Sequence, residues 1–234
     1  MPVANPVALA HAPDAGYRMP VMTLLRPLVA ILWTALPGIA AAHPHVFIDT
    51  GLALTLNDSR EVTSIEVTWK YDDLYSLLVM QDMGLDEDGD GQLTPEELTQ
   101  VTGWDMDWME GYEGDLYLAA PDGAAVHLGP PEPVETRVEA GRLVSVHRRP
   151  VVPPVRAEGL SLRAFDPEFY TAYDLSLGVS IPAPCRATVT APDQDKAYKE
   201  AETVMSAFPE DAEQVPLLGH IFAATVTLSC ASDQ

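Results

Sequence analysis

Residues 46–69 read VFIDTGLALTLNDSREVTSIEVTW, and this pattern predicts two β-strands joined by a short turn. Apolar side chains recur mostly at alternate positions on both sides of Asn57-Asp58-Ser59, which is a typical turn sequence. Alternation with a period of two places one face of each strand against a core. We therefore expect a hairpin at the start of the folded domain. The alternating positions are Val46, Ile48, Leu52, Leu54 and Leu56 before the turn, and Val62, Ile65, Val67 and Trp69 after it.

The second half of the chain repeats this pattern of short strands. Turns rich in Gly and Pro, such as Pro121-Asp122-Gly123, separate most of the apolar runs. One helix is expected at 194–207, before Pro209. Many short strands at such spacing predict a mainly β fold, a β-sandwich-like domain. The further strands are expected at 114–119, 124–128, 133–139, 142–149, 159–166, 172–181, 185–191 and 221–230.

Residues 86–97 read DEDGDGQLTPEE and fill every position of an EF-hand calcium loop. Calcium takes about six to eight oxygen ligands, and the loop has carboxylates at its first, third, fifth and twelfth positions. Gly91 stands at the sixth position, where the chain must turn sharply. The alternative is a turn rich in Asp and Gly that matches by chance. The predicted calcium ligands are Asp86, Asp88, Asp90, Gln92 through its carbonyl, Thr94 and Glu97.

The flanks of this loop predict a helix on each side. Thr94 is a suitable N-cap and Pro95 a suitable first helical residue. We expect a single helix-loop-helix EF-hand inserted into the β domain at about 72–110, with the aromatic segment 104–112 packing its second helix on a sheet. The leucines before the loop, spaced for one helical face, are Leu74, Leu77, Leu78 and Leu85.

The charge balance and the motifs exclude several classes of function. The formal net charge is -22, from 35 acidic and 13 basic residues, so a nucleic-acid partner is not expected. The chain has no G-x-S-x-G, H-E-x-x-H or P-loop sequence, and we expect that it is not an enzyme. A hydrolase that uses calcium is the remaining enzymatic alternative.

The first 42 residues are typical of an N-terminal extension followed by a signal peptide. Arg26 precedes the apolar run 27–36, which is too short to span a membrane, and Ala40-Ala41-Ala42 supplies the small residues of a cleavage site. Translation from Met19 or Met22 is an alternative start. We expect residues 43–234 to form a single exported, periplasmic domain without a transmembrane helix.

The chain has two cysteines, Cys185 and Cys230. In an oxidising compartment we expect them to form a disulfide between the last strand and the strand near residue 185. Two free, buried thiols are the alternative. No Cys-x-x-Cys spacing indicates a cysteine metal site.

Cleavage after Ala42 would place two histidines at the new N-terminus. His43, His45 and the carboxylate of Asp49 then form a candidate site for Zn²⁺, Ni²⁺, Co²⁺ or Cu²⁺, because imidazole suits these ions. Asp49 lies on the same strand face as His45. The alternative is a frayed terminus, and cleavage one residue earlier would remove the free amine from His43. Lesser candidates are His147, His220 and Asp166. A residue of this kind, alone in or beside a strand, is more often an ordinary core or surface residue than a metal ligand.

Five separated motifs stand in order along the chain: AHPHVFID at 42–49, VTWKYDD at 67–73, GYEGDLY at 111–117, FDPEFY at 165–170 and VTLSC at 226–230. Together they resemble the DUF1007 family of bacterial exported proteins. The resemblance covers nearly all of the chain after residue 42. It implies a periplasmic component of an uncharacterised transport system, accompanying permeases similar to nickel/cobalt transporters. It therefore strengthens His43 and His45 as metal ligands and implies a membrane metal permease as the partner.

Two functional hypotheses follow. In the first, the protein holds calcium in the EF-hand and offers a transition-metal site to a transporter. In the second, calcium orders a protein-interaction surface made by Trp104, Trp108 and Tyr112, with no transition metal. Titration with transition metals discriminates between them.

Overall fold

The structure, a computed structural model, describes residues 44–209 and 216–231. These residues belong to one unit that spans 42–234. The predicted extension and signal peptide at 1–42 lie outside the described residues, and so does His43.

Ten strands and three α-helices make up the described part of the chain. The strands are β1 (Val46–Leu56), β2 (Glu61–Tyr71), β3 (Leu116–Ala119), β4 (Ala125–Val126), β5 (Glu132–Glu139), β6 (Arg142–Arg156), β7 (Ser161–Ala164), β8 (Thr171–Ser180), β9 (Cys185–Thr190) and β10 (Thr225–Cys230). The helices are α1 (Asp73–Met83), α2 (Pro95–Val101) and α3 (Gln194–Ala207), with a 3-10 turn at Gly219–Phe222.

The strands form two five-stranded sheets, so the prediction of a mainly β domain is confirmed. The first sheet has the order β5-β6-β2-β1-β8, and the second has the order β4-β3-β7-β10-β9. The predicted hairpin is β1 and β2, paired antiparallel with Thr50 opposite Trp69. Strand β8 adds to β1 in parallel. Strand β6 runs seven residues further than predicted, to Arg156, because its second half pairs with the start of β2.

The two sheets contribute to one hydrophobic core. Ile65 of β2 and Leu143 of β6 are fully buried, as are Leu162 of β7 and Val226 of β10, and they belong to one cluster of buried apolar residues. Burial of a large aliphatic side chain stabilises a fold by about 1.5–3 kcal/mol. The alternating apolar residues of the sequence therefore form part of one hydrophobic core to which both sheets contribute.

Helices α1 and α2 lie in the connection between the two sheets' strands β2 and β3. Asp72 caps α1, since its carboxylate accepts the backbone N–H of Tyr75 at 2.8 Å, and it also accepts the N–H of Phe47 at the start of β1. Gly84 ends α1 in the left-handed conformation, with φ of 64°. A capping box of Thr94 and Glu97 begins α2.

Helical structure in this connection ends at Val101, earlier than the predicted limit near residue 110. Thr102 leaves the helix in an extended conformation, and Gly103 follows with φ of 78°. The aromatic segment 104–112 is therefore not the face of a helix. It is an irregular stretch of turns that packs its rings against the first sheet.

The predicted disulfide is confirmed. Cys185 begins β9 and stands directly opposite Cys230 of β10, and the two sulfurs are bonded. The predicted helix at 194–207 has those bounds in the structure. None of the helices in the described ranges has the length and apolar composition needed to cross a bilayer.

Candidate functional site

The structure brings together the first three predicted calcium ligands. Asp86, Asp88 and Asp90 each place a carboxylate oxygen so that the three oxygens lie within 4.8 Å of one another. Two oxygens bound to one calcium ion at 2.3–2.6 Å can be at most about 5 Å apart. The spacing therefore fits a single ion. Among the described residues, this is the one group of three or more acidic, histidine or cysteine side chains with such spacing.

Backbone hydrogen bonds shape this loop around the carboxylates. The N–H of Gly91 donates to both oxygens of Asp86, at 3.1 and 3.2 Å, and the N–H of Gln92 donates to Asp90 at 2.8 Å. Gly91 has φ of 76°, which a residue with a side chain rarely adopts. The glycine at the sixth position thus permits the turn that points the carboxylates inward.

Glu97 joins the two ends of the loop. Its carboxylate accepts the backbone N–H of Asp86 at 2.8 Å, and it accepts both the N–H and the hydroxyl of Thr94, at 2.7 and 2.8 Å. The hydrogen bonds from Thr94, followed by that from Asp86, lower the pKa of Glu97. The carboxylate is therefore held ionised beside the three aspartates, although it does not belong to their group of close oxygens.

Of the predicted transition-metal residues, His43 lies outside the described part of the chain, and His45 and Asp49 belong to no described group of three or more closely spaced ligand atoms. His45 is exposed at the start of the chain's described part, with its ring 4.8 Å from that of Tyr170. Asp49 accepts a 2.8 Å hydrogen bond from Arg142, with which it forms an ion pair, and a 3.0 Å hydrogen bond from Ser176. Its carboxylate thus already has a cationic partner. The site of His43, His45 and Asp49 stays a prediction.

The three lesser candidates for metal ligands are held by ring contacts or by contacts with the backbone. His147 is 1% exposed, with its ring 4.6 Å from Trp69 and 5.6 Å from Trp108. Burial lowers its pKa to about 3, which keeps the imidazole neutral. The Nδ1 atom of His220 lies 3.2 Å from the carbonyl of Leu217. The carboxylate of Asp166 accepts three backbone N–H groups, those of Glu168, Tyr170 and Thr171.

A large cavity lies beside the aromatic segment. Its volume is about 770 Å³, and Trp104, Trp108 and Tyr112 all line it. The sequence predicted these three rings as an interaction surface, and the structure places them in the wall of a concave site. Trp69 of β2 and Tyr173 of β8 also line the cavity.

Two carboxylates in this cavity were not predicted. Asp105 accepts a 2.8 Å hydrogen bond from the hydroxyl of Tyr71, and Asp115 accepts one of 2.8 Å from the hydroxyl of Tyr173. Burial raises the pKa of both groups, that of Asp115 to about 6. The only signal in the sequence is the placement of acidic residues among the aromatic ones between 104 and 117.

Arg149 holds the cavity wall in place from behind. It is 2% exposed, and its guanidinium donates to the carbonyls of Gly129 and Glu113, at 2.7 and 2.8 Å. The guanidinium also lies over the ring of Trp108, 4.7 Å from the ring centroid. Because a buried charge without partners is costly, this set of contacts fixes the wall's position.

Comparison with known proteins gives a family and no function. None of the curated proteins matches the chain. The family model described as "Protein of unknown function (DUF1007)" matches residues 28–230, a range that contains the acidic loop, the cavity wall and both cysteines. The match covers most of the sequence, and the chain accordingly belongs to the DUF1007 family.

Proposed function

We propose that the protein binds one calcium ion in an EF-hand formed by α1, the loop 86–97 and α2. The observation that carries this proposal is the approach of Asp86, Asp88 and Asp90 to within 4.8 Å. Like charges about 4 Å apart repel by about 1 kcal/mol per pair even in water, and a divalent cation removes that repulsion. The same oxygens have the chemistry that calcium prefers.

Calcium in this loop would act on the structure around it. The side chain of Gln100 in α2 donates a 3.0 Å hydrogen bond to the carbonyl of Met83 at the end of α1. Val101, the last residue of α2, is fully buried, and the aromatic segment follows directly. An ion that fixes the two helices therefore also fixes the start of the cavity wall.

The surroundings of the loop support a modest affinity. Asp88 and Asp90 are exposed, and Asp86 is half-buried, so water competes for the ion from one side. Extracellular calcium modules commonly have dissociation constants of about 10⁻⁴–10⁻³ M. The disulfide favours an oxidising compartment, and an exported, periplasmic location is part of this proposal. We infer that the ion is a stabilising component of the fold.

Calorimetric titration of the purified protein with calcium tests the proposal. Binding with a stoichiometry of one is expected for the native protein. Glu97→Gln should weaken it by about tenfold or more, because the twelfth position supplies the bidentate carboxylate. Glutamine preserves the capping box, so folding should be retained. Glu96→Gln, one residue earlier on the exposed side of α2, is the matched control and should bind as the native protein does. Equal affinity in all three proteins would contradict the ligand assignment.

A calcium-stabilised interaction module is the second candidate function. The observation that favours it is the position of Trp104, Trp108 and Tyr112 in the wall of the cavity. This role needs no transition metal. Its expected partner is a molecule that enters the cavity and contacts these rings.

The role as an accessory to a transition-metal permease stays a prediction. It depends on His43 and His45, since Asp49 pairs with Arg142. Titration with zinc, nickel, cobalt and copper tests it, and His45→Ala should abolish any such binding. Binding should also weaken as the pH falls through the imidazole range. A catalytic role is not proposed, and a screen with ester and phosphoester substrates tests that expectation.

A further inference from the structure

Helix α1 is apolar on two opposite sides. Val79 and Met80, on its inner side, are only 9% and 6% exposed. On its outer side, Leu74, Leu77 and Leu78 are 65%, 48% and 47% exposed. A helix that carries large apolar side chains all around is normally covered on every side, and a contiguous apolar patch on a protein surface marks an interaction site. The outer side of α1 is therefore a candidate docking surface.

The three exposed leucines form one stripe along the helix. They stand at positions i, i+3 and i+4, which lie on the same helical face. Gln81, also exposed, continues this face at position i+7. The sequence pattern grouped Leu85 with the three leucines, but Leu85 follows the end of α1 and is 4% exposed. The stripe therefore consists of Leu74, Leu77 and Leu78 alone.

Contacts at both ends and on the inner side hold α1 so that the stripe faces outward. The hydroxyl of Ser76, which is fully buried, accepts the backbone N–H of Leu143 of β6 at 2.9 Å. The carboxylate of Asp72 caps the first turn, and Gly84 ends the helix in the left-handed conformation. Since the helix is already formed, a partner would not have to order it on binding.

The surface around the stripe is acidic. Residues 72–97 contain nine Asp and Glu residues and no Lys or Arg, so a partner of the stripe meets negative charge beside the leucines. Asp73 and Asp82 are exposed on α1 itself. On strands β2 and β6, Lys70 and Arg142 already have carboxylate partners. The complementary surface is therefore an apolar stripe with positively charged borders.

Two other occupants fit this surface less well. A second copy of the chain would bring an identical acidic border against it, and like charges across an interface oppose association. Stable dimers also bury about 800 Å² per partner, from about 20–30 residues a side, and three partly exposed leucines on one short helix supply only a part of that area. A membrane surface rich in anionic lipid repels an acidic helix for the same electrostatic reason.

We propose that the outer face of α1 docks a basic amphipathic α-helix of a partner protein. Leu74, Leu77 and Leu78 pack between the apolar side chains of that helix, as the ridges of one helix fill the grooves of another. Lysine or arginine side chains at its borders lie opposite Asp73 and Asp82. This inference depends neither on calcium in the loop nor on the cavity beside the aromatic segment.

A designed peptide supplies the proposed chemistry as a defined probe. The sequence LKKLLKLLKKLLKL has, as a helix, a leucine face bordered by lysines. The same peptide with every leucine replaced by alanine keeps the charge and the helix propensity and loses the large apolar side chains. Fluorescence anisotropy of each labelled peptide is measured in a titration with the purified protein, at about 0.15 M salt to screen distant charges.

The leucine peptide should bind at least about tenfold more tightly than the alanine peptide, because burial of even one leucine side chain supplies about that factor. The titration is carried out with calcium and again with a chelator, and this difference is expected in both. Peptide binding by a protein that fails to bind calcium would support this inference and contradict only the calcium proposal.

Variants of the stripe have a matched control elsewhere in the chain. Leu77→Gln and Leu78→Gln should each weaken binding of the leucine peptide by about tenfold. Glutamine has a helix propensity close to that of leucine, so both variants should fold. Leu177→Gln removes a leucine of β8 that is also 47% exposed, and it should leave binding unchanged. Far-UV circular dichroism confirms the folding of each variant.

The acidic borders are tested at constant net charge. The double variant Asp73→Asn, Asp82→Asn should weaken binding by about threefold or more, since each exposed ion pair makes a small contribution. The control is the double variant Asp58→Asn, Asp122→Asn, which removes the same charge from two exposed turns and should bind as the native protein does. Equal weakening by the two double variants would contradict the assignment of the borders.

Four outcomes would overturn the inference. The first is equal binding of the leucine and alanine peptides, which would leave charge as the only attraction. The second is unchanged peptide affinity in folded Leu77→Gln and Leu78→Gln. The third is binding of the native protein to phosphatidylcholine vesicles that these two variants lose, which would make the occupant a lipid surface. The fourth is a dimer in sedimentation equilibrium that Leu77→Gln converts to a monomer, which would make the occupant a second copy.

Discussion

The backbone N–H of Asp86 donates a 2.8 Å hydrogen bond to the carboxylate of Glu97, and this bond joins the first and last positions of the acidic loop. Gly91 closes the middle of the loop by donating to Asp86. The four carboxylates of the predicted calcium ligands are thereby confined to the short segment 86–97. Backbone hydrogen bonds thus hold this segment in a closed turn, and a cation would neutralise the charges of the three close aspartates.

Calcium should raise the thermal stability of the protein. An ion at one hundred times its dissociation constant stabilises the folded state by about 2.7 kcal/mol if the unfolded chain does not bind it. Thermal unfolding followed by circular dichroism, with and without calcium, measures this. In Asp88→Asn the increase in Tm should be smaller, since one ligand charge is lost, whereas Asp122→Asn, in the exposed turn between β3 and β4, should retain it. An equal Tm with calcium and with a chelator would count against the proposed site.

Gly114→Ala should destabilise the fold strongly. Gly114 has φ of 67°, and a Cβ atom there would lie closer than 3.0 Å to the ring of Trp108 and to the guanidinium of Arg149. The expected loss in the free energy of unfolding is about 3 kcal/mol or more, from overpacking and backbone strain together.

Gly123→Ala is the matched control, because Gly123 also has a positive φ, 85°, with open space around its Cα. It should cost only the backbone strain of about 1–2 kcal/mol. Urea unfolding of both variants gives the comparison. Equal losses would mean that the packing of Trp108 against Arg149 does not fix the wall.

The charge of Asp115 should make stability depend on pH. Burial raises its pKa in the folded state to about 6, above the ordinary value of 3.8. The folded state therefore binds the proton more tightly, so this contribution is fully present below pH 3.8 and is lost as the pH rises through about 6. Compared with Asp115→Asn, the native protein should lose about 3 kcal/mol between pH of about 4 and 8.

Urea unfolding of both proteins across this range is the measurement. Other titrating groups contribute equally to both proteins and cancel in the difference. If the difference in the free energy of unfolding between the native protein and Asp115→Asn does not change with pH, then Asp115 titrates as an ordinary surface carboxylate.

Reduction of the disulfide should weaken the end of the second sheet. The bond closes a segment with a sequence separation of 45, and loop-closure entropy predicts a stabilisation of about 4 kcal/mol. Urea unfolding of the double variant Cys185→Ser, Cys230→Ser should show this loss in the free energy of unfolding. A reductant should not change the stability of the variant any further. Native protein that keeps its full stability in reductant, with both thiols free, would contradict the prediction.

The features that the sequence predicted are local ones. The strands β1 and β2 follow from alternation within a few residues. The close approach of Asp86, Asp88 and Asp90 follows from the spacing of acidic residues in one short segment, and calcium binding there stays a prediction. The disulfide needed only two cysteines and an oxidising compartment.

The cavity could not be predicted because it depends on residues that are distant in the chain. Asp115 meets Tyr173 across 58 positions, and Arg149 reaches Glu113 across 36. These contacts follow from the pairing of β8 with β1 and from the irregular path of residues 102–114. Neither leaves a periodic pattern. The end of α2 at Val101 was missed for the same reason, since the rings of 104–112 pack against strands and not along a helix.

Crystallisation with calcium at saturating concentration tests the central claim most directly. The expected result is one ion bound 2.3–2.6 Å from oxygens of Asp86, Asp88, Asp90 and Glu97, with the carbonyl of Gln92 completing the equator. A structure from such crystals with these carboxylates in place and no ion between them would contradict the account.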